Sequence, residues 1–190
     1  GATDAPVPKG RAPLLSLRGF SFLSSSRWSP PLDLGLAPGE ILGLSGLAGS
    51  GKDDLIPAIL GAAPARGRLE LAGLPWKLRT PAALLRRGLV MVPGDRTRDG
   101  IFPGLSVAGH LLGQVQAALG PWKVLAQAGD QARALDLRRE FGVTAPDLQG
   151  AIGLLSGGNQ QKVLMARAAA TGAGVYLLDG PTRGVDVGAR

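Results

Sequence analysis

A glycine-rich loop between an apolar run and a helical segment constrains the fold of this chain more than any other feature of its sequence. Residues 40–45 form a short, mostly apolar run bounded by turn residues, which predicts a strand buried on both faces. The loop follows as Gly-Leu-Ala-Gly-Ser-Gly-Lys at residues 46–52, and residues 54–60 are typical of a helix. Such a loop turns N–H groups towards an anion, and the helix dipole adds to the attraction. The pattern predicts a phosphate-binding loop; the alternative is a purely structural turn.

The residues of this loop have separate predicted roles. Lys52 is a mobile cation suited to the β- and γ-phosphates of a nucleotide. The next position in such loops carries Ser or Thr, whose hydroxyl ligates Mg²⁺, but here it is Asp53. Two interpretations stay open: Asp53 is a carboxylate ligand of Mg²⁺, or it is a helix residue without a metal role. The candidate phosphate ligands are Gly46, Gly49, Ser50, Gly51, Lys52 and Asp53.

The composition excludes several classes of protein. The chain has no Cys, and its one histidine, His110, leaves no catalytic triad and no His pair for a metal. We interpret His110 as a surface or partly buried helix residue. A hydrophobic fraction of 45% predicts a folded globular domain in spite of 30 Gly and 15 Pro. No run of about 18 apolar residues is present, so we expect a cytoplasmic protein. The net charge of +7 suits a polyanionic partner or reflects only a bias towards Arg.

Turn residues and apolar periodicity divide the rest of the chain into predicted elements. Residues 1–12 are typical of a linker or tail. The predicted strands are 14–22, 32–36, 89–92 and 175–178, with a hairpin at 67–74. The predicted helices are 80–87, 106–141 and 159–170, and the long stretch at 106–141 predicts a helical subdomain.

Two motifs in the last third of the chain carry a resemblance to a known family. They are Leu-Ser-Gly-Gly-Asn-Gln-Gln at residues 155–161 and Asp-Gly-Pro-Thr-Arg-Gly-Val-Asp-Val-Gly at residues 179–188. With the phosphate loop, they make the chain similar to ABC-type nucleotide-binding domains, especially the ATP-binding proteins of ribose, galactose and xylose importers. Asp-Arg-Thr-Arg-Asp-Gly at residues 95–100 and Gly-Glu-Ile-Leu-Gly at residues 39–43 add to the resemblance. It runs from about Leu14 to the last residue and is strongest to the second of two tandem halves.

This resemblance implies a fold and a set of boundaries. The fold is the α/β P-loop NTPase fold of ABC-type nucleotide-binding domains, with a mixed β-sheet core and a helical subdomain at about residues 104–150. The domain would occupy residues 13–190. It would be incomplete at its C-terminus, because the final strands and the region of the family's switch histidine are missing. We therefore expect a fragment of a longer chain.

The resemblance also implies cofactors and partners. Two such domains clamp ATP and Mg²⁺ head to tail, so that each ATP lies between one phosphate loop and the other domain's signature. Ser156, with the N–H groups of Gly157 and Gly158, opens a helix and forms a second anion-binding nest, with Gln160 and Asp186 as further nucleotide ligands. Residues 94–110 would face the membrane permease, and a periplasmic or surface sugar-binding protein would take part indirectly. We expect a cytoplasmic protein, peripheral on the inner face of the membrane, and no nucleic acid partner.

One position near the end of the chain fits the family's pattern, and two other places depart from it. Asp179 ends an apolar strand, where the family places a magnesium ligand; a turn-capping Asp is the alternative. The family's next residue is a Glu that activates water, but here it is Gly180, and residues 93–95 lack the family's phosphate-sensing Gln or Glu. Loss of a general base costs about 10²–10⁴-fold in rate, so two functions stay open: an ATPase that drives sugar import, or a regulatory half with little hydrolysis. The adenine-stacking candidates are Phe22 and Trp28.

Overall fold

The structure of this chain is a computed structural model that describes residues 12–76, 80–119 and 127–182. The chain divides into two units, of which the first ends at Arg87 and the second begins at Gly88. Residues 1–11 of the predicted linker lie outside the described part. Within the described ranges, no helix combines the length and the apolar character needed to cross a membrane.

An antiparallel sheet built around one long strand forms the first unit. β1 (Leu15–Ser24) pairs with β2 (Arg27–Trp28), β3 (Leu32–Leu36) and β4 (Ala65–Leu71), and β4 also pairs with β5 (Leu74–Pro75). The strands predicted at residues 14–22 and 32–36 are confirmed. The hairpin predicted at residues 67–74 is confirmed as well, since β4 and β5 meet across a tight turn.

A bulge in β1 explains why its apolar residues alternate only loosely. Leu15 and Leu17 are buried before the bulge, and Phe20 and Phe22 are buried after it. The register against β3 shifts between Leu17 and Phe20, around Gly19, whose φ of 52° lies in the left-handed region. One extra residue changes which face the following side chains occupy. Both pairs therefore reach the same core although their residue numbers differ in parity.

Two helices complete the first unit. α1 (Lys52–Leu60) begins two residues before the predicted start and ends at Gly61, whose φ of 79° is the left-handed cap that the sequence predicts. It buries Leu55, Ala58 and Ile59. α2 (Pro81–Arg86) is capped by Thr80, whose hydroxyl accepts a hydrogen bond from the Ala83 N–H.

The strand predicted at residues 40–45 is wrong. This segment is irregular and pairs with no strand among the described residues, and Ile41 is 97% exposed. Its apolar residues indicate a preference for burial, but a strand also needs a neighbouring strand to satisfy its N–H and C=O groups. The strands of its own unit satisfy one another in an antiparallel arrangement. The apolar composition of residues 40–45 therefore could not show whether a neighbouring strand was present to form hydrogen bonds with them.

In its described residues, the second unit combines a parallel strand pair with three α-helices, one π-helical turn (Arg96–Gly100) and one 3₁₀ turn (Ile152–Leu154). β6 (Leu89–Val92) pairs in parallel with β7 (Val175–Leu178). The strands predicted at residues 89–92 and 175–178 are thereby confirmed. The predicted helical stretch at residues 106–141 contains two helices, α3 (Val107–Leu119) and α4 (Gln127–Glu140). The predicted helix at residues 159–170 is α5, which spans Gly157–Ala169. The core of the second unit includes Val107, Leu111, Leu112, Val163 and Leu164.

His110 is fully buried, which corrects the interpretation of it as a surface or partly buried residue. It lies on α3 and is 1% exposed. Its Nε2 accepts a hydrogen bond from the Phe102 N–H at 3.0 Å, and its Nδ1 lies 3.0 Å from the Ser106 carbonyl oxygen. An acceptor at Nε2 and a donor at Nδ1 together assign the neutral tautomer protonated at Nδ1. Burial lowers the pKa of His110, Ser106 acts in the opposite direction, and the Arg167 charge lowers it further.

The free energy of unfolding should therefore fall as the pH falls from about 7 to about 5.5. The unfolded chain binds a proton at His110 near pH 6.5, whereas the lowered pKa keeps the folded side chain neutral to a lower pH. The slope for one such group is at most ~1.4 kcal/mol per pH unit. Urea unfolding at the two pH values measures it, and His110→Gln, which leaves the chain without histidine, is the control that should lose this dependence. Equal stability of the parent chain at both values would contradict the assignment.

Candidate functional site

The predicted phosphate loop forms the entry to α1. Gly49 and Gly51 have φ values of 80° and 86°, in the region that glycine adopts without strain. Gly51 is the N-cap of α1, and within the described part of the chain no side chain caps its first turn. The loop is tight, because a Cβ on Gly46 would lie 2.7 Å from the Ser50 hydroxyl oxygen. The uncapped N–H groups of the first turn are therefore available to an anion.

Two neighbouring carboxylates at the start of α1 have different partners. The Lys52 amine donates to both Asp53 oxygens at 2.7 and 2.8 Å, in an ion pair whose Asp53 side chain is 69% exposed. Asp54 instead accepts a hydrogen bond from the Ser24 hydroxyl at 2.5 Å, which ties α1 to the end of β1. Exposed ion pairs are weak, so a phosphate can compete with Asp53 for Lys52. The contact between Ser24 and Asp54 could not be predicted from the sequence, because the two residues are 30 positions apart in the chain.

The two candidate adenine-stacking residues differ in exposure. Phe22 is 6% exposed, and its ring edge lies 3.6 Å from the position of a Cβ on Gly51, so it supports the phosphate loop from the core. Trp28 is 39% exposed, and the Arg66 guanidinium carbon lies 3.8 Å from its ring centroid. This distance is that of a cation–π contact. Of the two rings, Trp28 is the one at the surface.

The second predicted anion-binding nest lies at the N-terminus of α5. Ser156 is the N-cap, and its hydroxyl accepts from the Asn159 N–H at 3.5 Å and from the Asn159 side-chain amide at 3.1 Å. Gly157 and Gly158 are the first two helical residues and present backbone without side chains. This arrangement is what a helix N-terminus needs to bind an anion.

Gln160, a predicted nucleotide ligand, has internal partners in this structure. Its side-chain amide donates to the Leu155 carbonyl at 3.1 Å and to the Ile152 carbonyl at 3.4 Å. Its Oε1 accepts from the Arg96 Nε at 3.3 Å. Gln160 therefore connects α5 to the segment before it and to the turn that contains Arg96. The contact with Arg96 joins residues 64 positions apart, which sequence spacing does not indicate.

Two glycines flank the predicted metal ligand Asp179. The Asp179 N–H donates to the Val92 carbonyl at 3.1 Å, which extends the β6–β7 pairing to the end of β7. A Cβ on Gly94 would lie 2.7 Å from the Asp179 carbonyl oxygen and 2.9 Å from its carboxylate. Gly180, where the resemblance predicts a water-activating Glu, has a φ of 51°. The close approach thus requires glycine at position 94, and at position 180 glycine avoids the strain that a side chain would cause.

The predicted site residues are distributed over both units. Asp53 and the phosphate loop lie in the first unit, whereas Ser156 and Asp179 lie in the second. Asp186 lies outside the described residues. No cluster of three or more His, Asp or Glu side chains suited to a metal occurs among residues 12–76, 80–119 and 127–182.

A model of the ABC transporter family matches residues 30–183, which include both glycine-rich motifs. This chain belongs to the ABC transporter family. The family interpretation drawn from the sequence motifs is thereby confirmed.

Curated relatives of this ABC domain are named for sugar import. It is 44% identical over 153 residues to a ribose/galactose/methyl galactoside import ATP-binding protein of Agrobacterium fabrum, covering 80% of this chain and 31% of that protein. It is 45% identical over 163 residues to the xylose import ATP-binding protein XylG of Paraburkholderia xenovorans, covering 82% of this chain and 30% of that protein. The chain thus spans about a third of the length of these relatives.

Solved structures confirm the fold of the ABC domain. A dimeric ATP-binding cassette in a post-hydrolysis state with ADP and Pi has a TM-score of 0.75 at 19% identity, covering 92% of this chain and 77% of that chain. CbiO1 of Clostridium perfringens, part of an ABC transporter complex, has a TM-score of 0.72 at 19% identity, covering 94% and 70%. The α/β P-loop NTPase fold with mixed sheets and helices is therefore the fold of this chain.

Substitution of Gly94 by Ala should destabilise the second unit. The new methyl group would lie 2.7 Å from the Asp179 carbonyl oxygen, and overpacking of this kind costs ~1–3 kcal/mol. Gly104→Ala is the matched control, because a Cβ there meets no atom within 4 Å. It should change the free energy of unfolding by less than ~0.5 kcal/mol. Urea unfolding of both variants measures the difference, and equal effects would contradict the close Gly94–Asp179 contact.

Proposed function

We propose that this chain is the ATP-binding part of an ABC-type monosaccharide importer and that it binds ATP together with a second ABC domain. The observation that carries the proposal is the presence of two glycine-opened helix N-termini, those of α1 and α5. In the head-to-tail arrangement, one chain's phosphate loop and another chain's Ser156 nest bind the same triphosphate. The sugar-import names of the relatives support this assignment.

Each predicted ligand has a proposed role. Gly46, Gly49, Ser50 and Gly51 surround the phosphates with N–H groups, and Lys52 exchanges its Asp53 partner for a phosphate oxygen. Carboxylate oxygens are suitable ligands of Mg²⁺, so Asp53 and Asp179 are the residues that would hold the ion. When bound, Mg²⁺ neutralises phosphate charge.

The remaining ligands are assigned as follows. Trp28, stacked on Arg66, is the more accessible adenine platform, and Phe22 is the alternative. Ser156, Gly157 and Gly158 bind the partner domain's nucleotide. Gln160 and Asp186 remain proposed ligands at this second site.

The proposed partners follow from the same arrangement. Residues 94–110 would contact the membrane permease, and this segment presents the exposed apolar side chains of Phe102 and Leu105. Closure of the two ABC domains would drive the permease, which receives sugar from a periplasmic or surface binding protein. The complex would place this domain on the cytoplasmic, inner face of the membrane. We propose no nucleic acid partner.

A second candidate function is a regulatory half that holds ATP and hydrolyses little of it. Gly180 lacks a carboxylate, and its φ of 51° is a conformation that a Glu adopts only with strain. The contact between Gly94 and Asp179 also leaves no room for a phosphate-sensing side chain. This candidate retains nucleotide binding and domain closure and leaves hydrolysis to the partner half.

Lys52→Ala should weaken MgATP binding by at least about tenfold, because charge-assisted hydrogen bonds contribute ~1.5–3 kcal/mol. Lys162→Ala is the matched control, since it removes the same charge from α5, where the Lys162 amine donates to the Gly142 carbonyl. Isothermal titration calorimetry with MgATP measures both variants. Equal affinities of the parent chain and Lys52→Ala, or no MgATP binding by the parent chain, would refute the phosphate-loop assignment.

ATP turnover by the parent chain should be slow, below ~0.1 s⁻¹, because a missing general base costs about 10²–10⁴-fold. Gly180→Glu should raise phosphate release, whereas Gly180→Gln, with the same size and backbone strain but no carboxylate, should not. A coupled phosphate-release assay compares the three chains. Turnover by the parent chain at ordinary rates of ~1–10 s⁻¹ would exclude the regulatory candidate.

A further inference from the structure

One stripe of α5 contacts the segment that follows β6. Gln160, Leu164 and Arg167 have the spacing of residues on one helix face. Gln160 accepts from the Arg96 Nε, and Arg167 Nη1 donates to the Gly100 carbonyl at 2.9 Å. A Cβ on Gly100 would lie 2.8 Å from Leu164 Cδ1. The segment at residues 93–102, which we call the strap, is therefore packed directly on α5.

The end of the strap is also held from the other side. The Phe102 N–H donates to the buried His110 of α3 at 3.0 Å, two residues after the Gly100 carbonyl that Arg167 binds. Its beginning adjoins Asp179 through Gly94. The strap thus connects the end of β7 to the helix that begins at the Ser156 nest.

Burial of the Arg167 guanidinium costs more free energy than a purely structural contact requires. It is only 8% exposed, and burial lowers the pKa of its guanidinium. No acid within the described ranges forms an ion pair with it, and its Nε has no hydrogen-bond partner there. A buried charge with one neutral acceptor costs more than an apolar side chain of similar size. Arg167 therefore contributes to the position of the strap rather than to the stability of the fold.

We propose that Arg167 is a positioning residue that holds the strap on α5 and thereby fixes the N-terminal turn of α5, where the partner's nucleotide would bind. Loss of the Gly100 contact loosens the strap on the side that faces α5, and Gln160 then loses the Arg96 turn as a fixed partner at the first helical turn. The role of this turn in nucleotide binding rests on the proposed function. The contact of the strap with α5 does not depend on the proposed function.

Amide hydrogen exchange, measured by NMR on the whole chain without nucleotide, tests this proposal. In Arg167→Met, exchange should accelerate by at least about tenfold at Ile101 and Phe102 in the strap and at Asn159 and Gln160 in α5. Val175, whose N–H donates to the Gly88 carbonyl, should change by less than about twofold.

Two further variants keep the test decisive. Arg139→Met makes the same chemical change at an exposed position of α4 and should leave all of these amides unchanged. Arg167→Lys keeps a cation and a donor for the Gly100 carbonyl and should return exchange to within about threefold of the parent chain; it also serves if Arg167→Met does not fold.

The results of the exchange measurement can be separated from the results of the test of the proposed function. Acceleration in the strap without acceleration at Asn159 and Gln160 would overturn the proposal, as would uniform acceleration that includes Val175 or a Lys variant as fast as the Met variant. Because no nucleotide is present, failure of MgATP binding would refute the proposed function and leave this measurement interpretable.

Discussion

Unsatisfied N–H groups at two helix N-termini are the constraint on which the candidate site depends. The first turn of an α-helix has donors without intrahelical partners, and these donors give the end a partial positive charge. At α1 no described side chain caps these groups, and Lys52 adds a positive charge. At α5 Ser156 caps one donor, and Gly157 and Gly158 keep the approach free of side chains. In the proposed function, the departures at Asp53, Gly94 and Gly180 would affect metal binding and hydrolysis rather than the binding of the phosphates.

Local patterns predicted most elements, because local hydrogen bonds and turns define them. The left-handed cap at Gly61 and the cap at Thr80 are of this kind. Long-range partners were not predictable in the same way. Residues 40–45 have the composition of a buried strand without a described partner strand, and His110 is buried because Phe102 and Ser106 satisfy both ring nitrogens.

The same division holds for the candidate site. Glycine spacing and Lys52 predicted the phosphate loop, and the Ser-Gly-Gly sequence predicted the helix start at Ser156, since both are local features. The sequence did not indicate that Gln160 binds Arg96 or that Gly94 adjoins Asp179. These contacts depend on how β6, β7 and α5 pack. Residue identity therefore gave the chemistry of the site, and tertiary packing gave the side chains that hold it.

The bulge at Gly19 has a consequence for a loop more than twenty residues further along the chain. Phe22 and Ser24, which support Gly51 and bind Asp54, both follow the bulge. Deleting Gly19 would invert the facing of every later residue in β1, so Phe22 would turn to solvent and Ser24 would lose α1. The support of the phosphate loop thus depends on which side chains of β1 face the core, and the bulge at Gly19 determines this. A change in the length of β1 would therefore disturb this loop even with all of its glycines in place.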